Sequence, residues 1–192
     1  MDSGGWRGGG AVRTGCEHVF VSRRDLTPTQ KGNIAEAAVT LAAAKLGVGV
    51  LKPVHEGLRY DLIFDFHPEL ARVQCKWAPR RGSVVAVKTD SCRTTARGYV
   101  RSPYTAAEID AVAAYCPDLD RCYYLPIAVV STAKRLLHLR LSPALNNQRL
   151  GVHWAAEYAF PGAVAQLGER HTGSVEATGS SPVSSIGPAR FA

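Results

Sequence analysis

Four short strand-like runs follow one another between Gly47 and Lys88, and no other feature constrains this chain as much. They are GVGVLKP (47–53), YDLIFDF (60–66), ARVQCKW (71–77) and SVVAVK (83–88). His67-Pro68-Glu69 and Pro79-Arg80-Arg81-Gly82 are turn sequences between the later runs, and Pro and Gly punctuate structure in this way. In the second run Leu62, Phe64 and Phe66 share one face, with Asp61, Ile63 and Asp65 on the other. In the third, Arg72, Gln74 and Lys76 oppose Val73, Cys75 and Trp77. Side chains alternate across a strand, so this period of two demands a sheet.

The flanking segments complete the expected order. Thr27-Pro28-Thr29-Gln30 is a capping box with Pro at the first helical position, a start signal that satisfies free N–H groups. The helix runs through Ala38 and Lys45 to Gly47, a natural stop. Ile34, Ala35, Ala38, Leu41, Ala42 and Leu46 are its expected packing face, and its alanines suit close approach to a sheet. SCRTTARGYVRSPY (91–104) reads as a basic loop. A second capping box, Thr105-Ala106-Ala107-Glu108, predicts a helix through Ile109, Val112 and Tyr115 that ends at Pro117. CYYLPIAVV (122–130) reads as a buried strand and LLHLRL (136–141) as an edge strand. The order fits an α/β or α+β fold, a small mixed β-sheet flanked by helices.

Composition sets the limits. The 192 residues suit one domain with tails. Residues 1–25 are a Gly/Arg-rich lead without periodicity, 26–160 carry the patterned domain, and 161–192 read as an unstructured tail. MDSGGWRGGG has no apolar h-region, and no run of about 18 apolar residues exists to span a bilayer. Five irregularly spaced cysteines form no CxxC, which suits a reducing compartment, and the expected location is the cytoplasm. The six histidines show no ligand spacing. The formal charge of +7 is concentrated: residues 72–101 hold eight basic groups and one acid, Asp90. Such a footprint suits a phosphate backbone, whose counterions are released on binding.

The chemistry-bearing residues lie at the start of that basic stretch. Gln74 and Lys76 point together, and a hairpin pairing brings Asp61 to them. Asp65 is the rival acid on the same face. Glu36 joins them if the first helix packs over the sheet. Two carboxylates and an amide oxygen are hard donors, suited to Mg²⁺ rather than zinc. The amine would stabilise developing negative charge or orient the attacking water. Cys75 faces the apolar side and reads as core rather than nucleophile.

Residues 27–160 resemble the group I intron-associated PD-(D/E)XK homing endonuclease family. The resemblance rests on KGNIAEAAV (31–39), RYDLIFD (59–65), VQCKWA (73–78), CYYLPI (122–127) and LRLSPALNNQRLGVHWAAEYAF (139–160). It implies a PD-(D/E)XK (restriction endonuclease-like) core and cleavage of double-stranded DNA. It implies Glu36 as the helix acid, Asp61 as the metal-binding Asp and Lys76 as the catalytic Lys, with Mg²⁺ as cofactor and Mn²⁺ as its substitute. Gln74 stands where the wider superfamily has Asp or Glu, and Tyr60 stands in place of its Pro. The basic residues Arg80, Arg81, Lys88, Arg93, Arg97 and Arg101, with Tyr104, are the expected DNA contacts. Cutting two strands needs two sites, so a homo-oligomer, dimer or tetramer, is expected. The rival readings are a Holliday-junction-resolvase-like nuclease on branched DNA and a non-catalytic DNA-binding module. In the tail, AVAQLGER (163–170) and TGSSPVSS (178–185) resemble a tRNA gene read as protein. Such genes are known homes of these introns.

Overall fold

A computed structural model describes residues 25–96, 98–143 and 151–164. The expected lead and tail fall outside these residues except for Asp25 and 161–164, so the tRNA-gene reading of the tail does too, apart from its first two residues.

Helix α1 (Pro28–Lys45) starts as its capping box dictates. The Thr27 hydroxyl accepts from the Gln30 backbone N–H, and the Gln30 side chain accepts from the Thr27 N–H. It stops at Leu46, and Gly47 then takes a left-handed φ of 75° that glycine adopts without penalty. Its buried stripe is Ala35, Val39 and Ala43, spaced one turn apart. The expected face was wider: Ile34, Leu41 and Leu46 lie exposed. Only the small side chains fit where the helix backbone closes on the sheet.

Strands β1 (Gly49–Leu51), β2 (Leu62–Asp65), β3 (Leu70–Trp77), β8 (Ala111–Cys116) and β9 (Arg121–Pro126) form a mixed sheet in that spatial order. β3 and β8 are parallel, and the other pairs are antiparallel. A second sheet has the order β11 (His153–Trp154), β10 (Leu136–Arg140), β5 (Val84–Lys88), β4 (Arg80–Arg81). β6 (Asp90–Thr95) and β7 (Gly98–Pro103) form a separate two-stranded ribbon. A short helix, α2 (Ile127–Val130), follows β9 directly.

β8 explains the layering, and it corrects the expected second helix. All six of its residues are buried. Ala111, Ala113 and Tyr115 face α1 with Phe64, Tyr124 and Phe160. Val112, Ala114 and Cys116 face the second sheet through Val85, Val87, Leu137 and Leu139. A strand apolar on both sides shows no alternation, so its composition could not be told from a buried helix. Only half of the capping box at Thr105 forms: Glu108 accepts from the Thr105 N–H at 3.0 Å, but the Thr105 hydroxyl donates to Glu108 instead of accepting from its N–H, and a single turn is closed. The second face of the mixed sheet is therefore covered by a sheet rather than a helix. Three further expectations change. The basic loop of 91–104 is the β6–β7 ribbon. The 122–130 strand ends at Pro126. β10 lies inside its sheet, between β5 and β11. The apolar core continues to Val164, beyond the boundary expected at residue 160.

Arg72, part of the basic window, is used internally. Its guanidinium forks onto Asp110, with Nε to Oδ2 and Nη2 to Oδ1 both 3.0 Å, and its Nη2 also donates to the Ala106 carbonyl at 3.2 Å. This ties β3 to the turn before β8. The Arg72 bond holds the Asp110 carboxyl below the ordinary carboxylate range. That stabilisation is complete above about pH 4 and is lost as acid titrates through the lower folded-state value. Arg72→Ala should cost about 1–2 kcal/mol, because the pair is partly solvent-screened. Urea denaturation checks it; an unchanged midpoint, or an equal loss at pH 3, would count against the pair.

Candidate active site

Asp61 sits just before β2, where its N–H continues the ladder to the Val73 carbonyl at 2.9 Å. That extra rung sets the carboxylate beside β3. Asp61 Oδ2 accepts from the Cys75 backbone N–H at 2.8 Å and from Gln74 Nε2. Burial raises the Asp61 carboxyl above its ordinary range, and the Glu36 charge adds to the rise. Asp65, the rival acid, is engaged elsewhere: its Oδ1 accepts from the His67 N–H at 2.9 Å, capping the turn to β3.

Glu36 projects from α1 toward the same place. Glu36 and Asp61 line one cavity of about 360 Å³ with Asn33, Lys52 and Tyr60. Lys52, just past β1, is ion-paired to Glu36 Oε1. Sequence reading passed over Lys52, because nothing in GVGVLKP marks which face it takes.

Lys76 lies two residues after Gln74 on β3, facing away from α1. Its Nζ donates to the Tyr104 hydroxyl at 2.7 Å and stands 4.9 Å from that ring's centroid. Burial lowers its pKa to about 8, while Asp61 and Asp90 oppose the shift. Lys88, at the end of β5, is close enough for its charge to add to the lowering.

The expected DNA contacts separate into groups. Arg80, Arg81 and Lys88 are exposed. Arg101 is exposed on β7 but reaches back to Asp90 at 3.3 Å, whose side chain is only 5% exposed. Tyr104 departs from expectation: it is 5% exposed, so its hydroxyl meets Lys76 rather than solvent. Arg97 and the Arg93 side chain lie outside the described residues. Tyr99, unremarked in the sequence, is 78% exposed near the ribbon tip. Cys75 is buried, and burial pushes its thiol well up, so it is no thiolate nucleophile.

Among the described residues no cluster of three His, Cys, Asp or Glu exists, so any metal would rely on oxygens from two acids and an amide. The residues present fit a hard cation. Asp61 Oδ1, Glu36 Oε2 and Gln74 Oε1 take no hydrogen bond from the described residues, and the two carboxylates repel one another. Asp61 just before β2, Gln74 and Lys76 on the central strand β3, and Glu36 on α1 are a candidate set for metal-assisted hydrolysis.

Residues 26–161 match the family described as PD-(D/E)XK endonuclease, and the chain belongs to that family. Among solved structures it is similar to a bacterial homing endonuclease, I-Ssp6803I, with 29% identity and a TM-score of 0.62. The alignment covers 79% of this chain and 99% of that one. No curated protein matches the chain. No helix among the described residues is long and apolar enough to cross a membrane.

Proposed function

We propose that this endonuclease is a Mg²⁺-dependent homing endonuclease of the intron-associated kind, hydrolysing phosphodiester bonds in duplex DNA as a homo-oligomer. The observation that carries the reading is the meeting of Asp61 with Gln74 on the strand that also holds Lys76, while Glu36 lines the same cavity. Asp61, Glu36 and Gln74 would hold the cation. A divalent ion held there would supply Lewis-acid activation of the phosphodiester and of water. The Cys75 N–H orients the Asp61 carboxylate, and Lys52 offsets the charge of Glu36. Lys76 supplies a positive charge to the phosphate as negative charge develops. The exposed Arg80, Arg81 and Lys88 contribute backbone-neutralising charge; Arg93 and Arg97 are DNA contacts on the sequence reading alone. Arg101 adds less, because Asp90 neutralises it. Mn²⁺ would substitute for Mg²⁺.

The test is cleavage of a duplex library with Mg²⁺, with Mn²⁺ and with EDTA. Linear duplexes should be cut with either metal and left intact with EDTA. Asp61→Asn, which keeps the shape but removes the charge, should lower cutting at least about 10²-fold. Cutting of four-way junctions alone would favour a junction-resolving nuclease. DNA binding without any cutting would make the chain a binding module.

A further inference from the structure

We propose that Tyr104 is the positioning residue for Lys76, and that Arg59 holds Tyr104 in place while fastening the β6–β7 ribbon to the same anchor. The inference rests on the reading of Lys76 as the catalytic lysine. A lysine side chain has four flexible carbons and a compact, rotatable ammonium, so placing its charge requires an external stop. Tyr104 provides one. Its hydroxyl accepts from Nζ at 2.7 Å, a charge-assisted bond stronger than a neutral one.

Tyr104 is itself immobilised. It is 5% exposed, and the Arg59 guanidinium carbon lies 4.5 Å from its ring centroid. Arg59 has little freedom either. Its Nε donates to Glu108 at 3.0 Å, its Nη2 to the Pro103 carbonyl at 2.8 Å, and its Nη1 to the Ser91 hydroxyl. Ser91 belongs to β6 and Pro103 to β7, so one side chain grips both strands of the ribbon. The ribbon pairs with no other strand among the described residues. Arg59 is thus its polar attachment to the sheet, and the chain of contacts runs from ribbon to Arg59 to Tyr104 to Lys76.

Tyr104→Phe tests this, since it keeps the ring and removes only the hydroxyl. Nicking of supercoiled plasmid in Mn²⁺ under single-turnover conditions gives the rate, and binding of the same plasmid in Ca²⁺ gives the affinity. The variant should nick about 10- to 100-fold more slowly, as expected for loss of one bond to a charged group, with affinity nearly unchanged. A wild-type rate for Tyr104→Phe beside a dead Lys76→Ala would overturn the positioning role and leave Lys76 standing. A wild-type rate for Lys76→Ala would overturn the catalytic reading beneath it. Parallel losses of rate and affinity would assign Tyr104 to DNA binding and overturn the inference. Should Tyr104→Phe fail to fold by thermal melting, Arg59→Lys replaces it: the charge stays but the fork is lost. The same loss of rate at unchanged affinity is expected, and an unchanged rate refutes the link.

Discussion

Replacing Lys76 with alanine is expected to reduce DNA cleavage by about 10²–10³-fold, with little change in DNA affinity. The ammonium is one positive group among several that attract DNA, so binding survives its loss. It is, however, the one whose Nζ is held by Tyr104 on the strand carrying Gln74. With a pKa near 8 it remains mostly charged at neutral pH. The fold should not suffer greatly. Burial disfavours the ammonium, so the folded-state pKa lies below the unfolded value of about 10.4. Protonated Lys76 therefore opposes folding below pH 8, and that penalty fades as pH rises toward 10.4. Lys76→Met should accordingly melt close to wild type while remaining inactive. Lys76→Arg should also be impaired, because a planar fork does not replace a compact charge in a closed site. Single-turnover cleavage beside affinity in Ca²⁺ measures both quantities. Equal rates in wild type and Lys76→Ala would remove the lysine from the mechanism.

Phe64→Ala is expected to cost roughly 3–5 kcal/mol, out of a total stability of about 5–15 kcal/mol for a domain of ordinary size. Phe64 is fully buried between α1 and the mixed sheet. Its ring stacks on Tyr124 at 6.2 Å and meets Phe66 and Phe160 edge-on at 6.0 and 5.9 Å. Truncation leaves a cavity bounded by three rings that cannot all move inward, because each has further contacts. Phe160 opens the last helical turn of the core, so the C-terminal closure should loosen with it. The partly exposed Phe66 offers a control, and its truncation should cost less. In urea the midpoint should fall with the slope unchanged. A loss below about 1 kcal/mol would show that this cluster is not the centre of the core.

Much of the site was legible before the fold. Asp61, Gln74 and Lys76 stood out because a strand sets alternate side chains together and a hairpin brings the preceding strand's acid beside them. The observed pairing of Leu62 with Val73 places them so. Lys52 and Arg59 were not legible, because their partners are 16 and 49 residues away and no local pattern marks such distances. The charge window misled in one respect. It included Arg72 in the basic footprint and took Arg101 as a DNA contact, whereas each meets an internal carboxylate that only folding brings near. Tyr104 read as part of a basic loop because its neighbours in sequence are polar, yet the ribbon's base carries it into the core.

By itself the sequence determined what short-range physics controls: the capped start of α1, the alternating strands β2 and β3, their turns, and the type of chemistry their polar face can support. Local hydrogen bonds and side-chain alternation act over a few residues, so they can be read directly. Only the tertiary structure decided that Ala111–Cys116 is a strand, because both its faces are apolar and its partners β3 and β9 select the extended form. It alone decided which cations face outward and which are neutralised within. It also joined Lys76, Tyr104, Arg59 and the ribbon into one contiguous set, since those contacts span 28 to 49 residues and exist only when the sheet and its ribbon have come together.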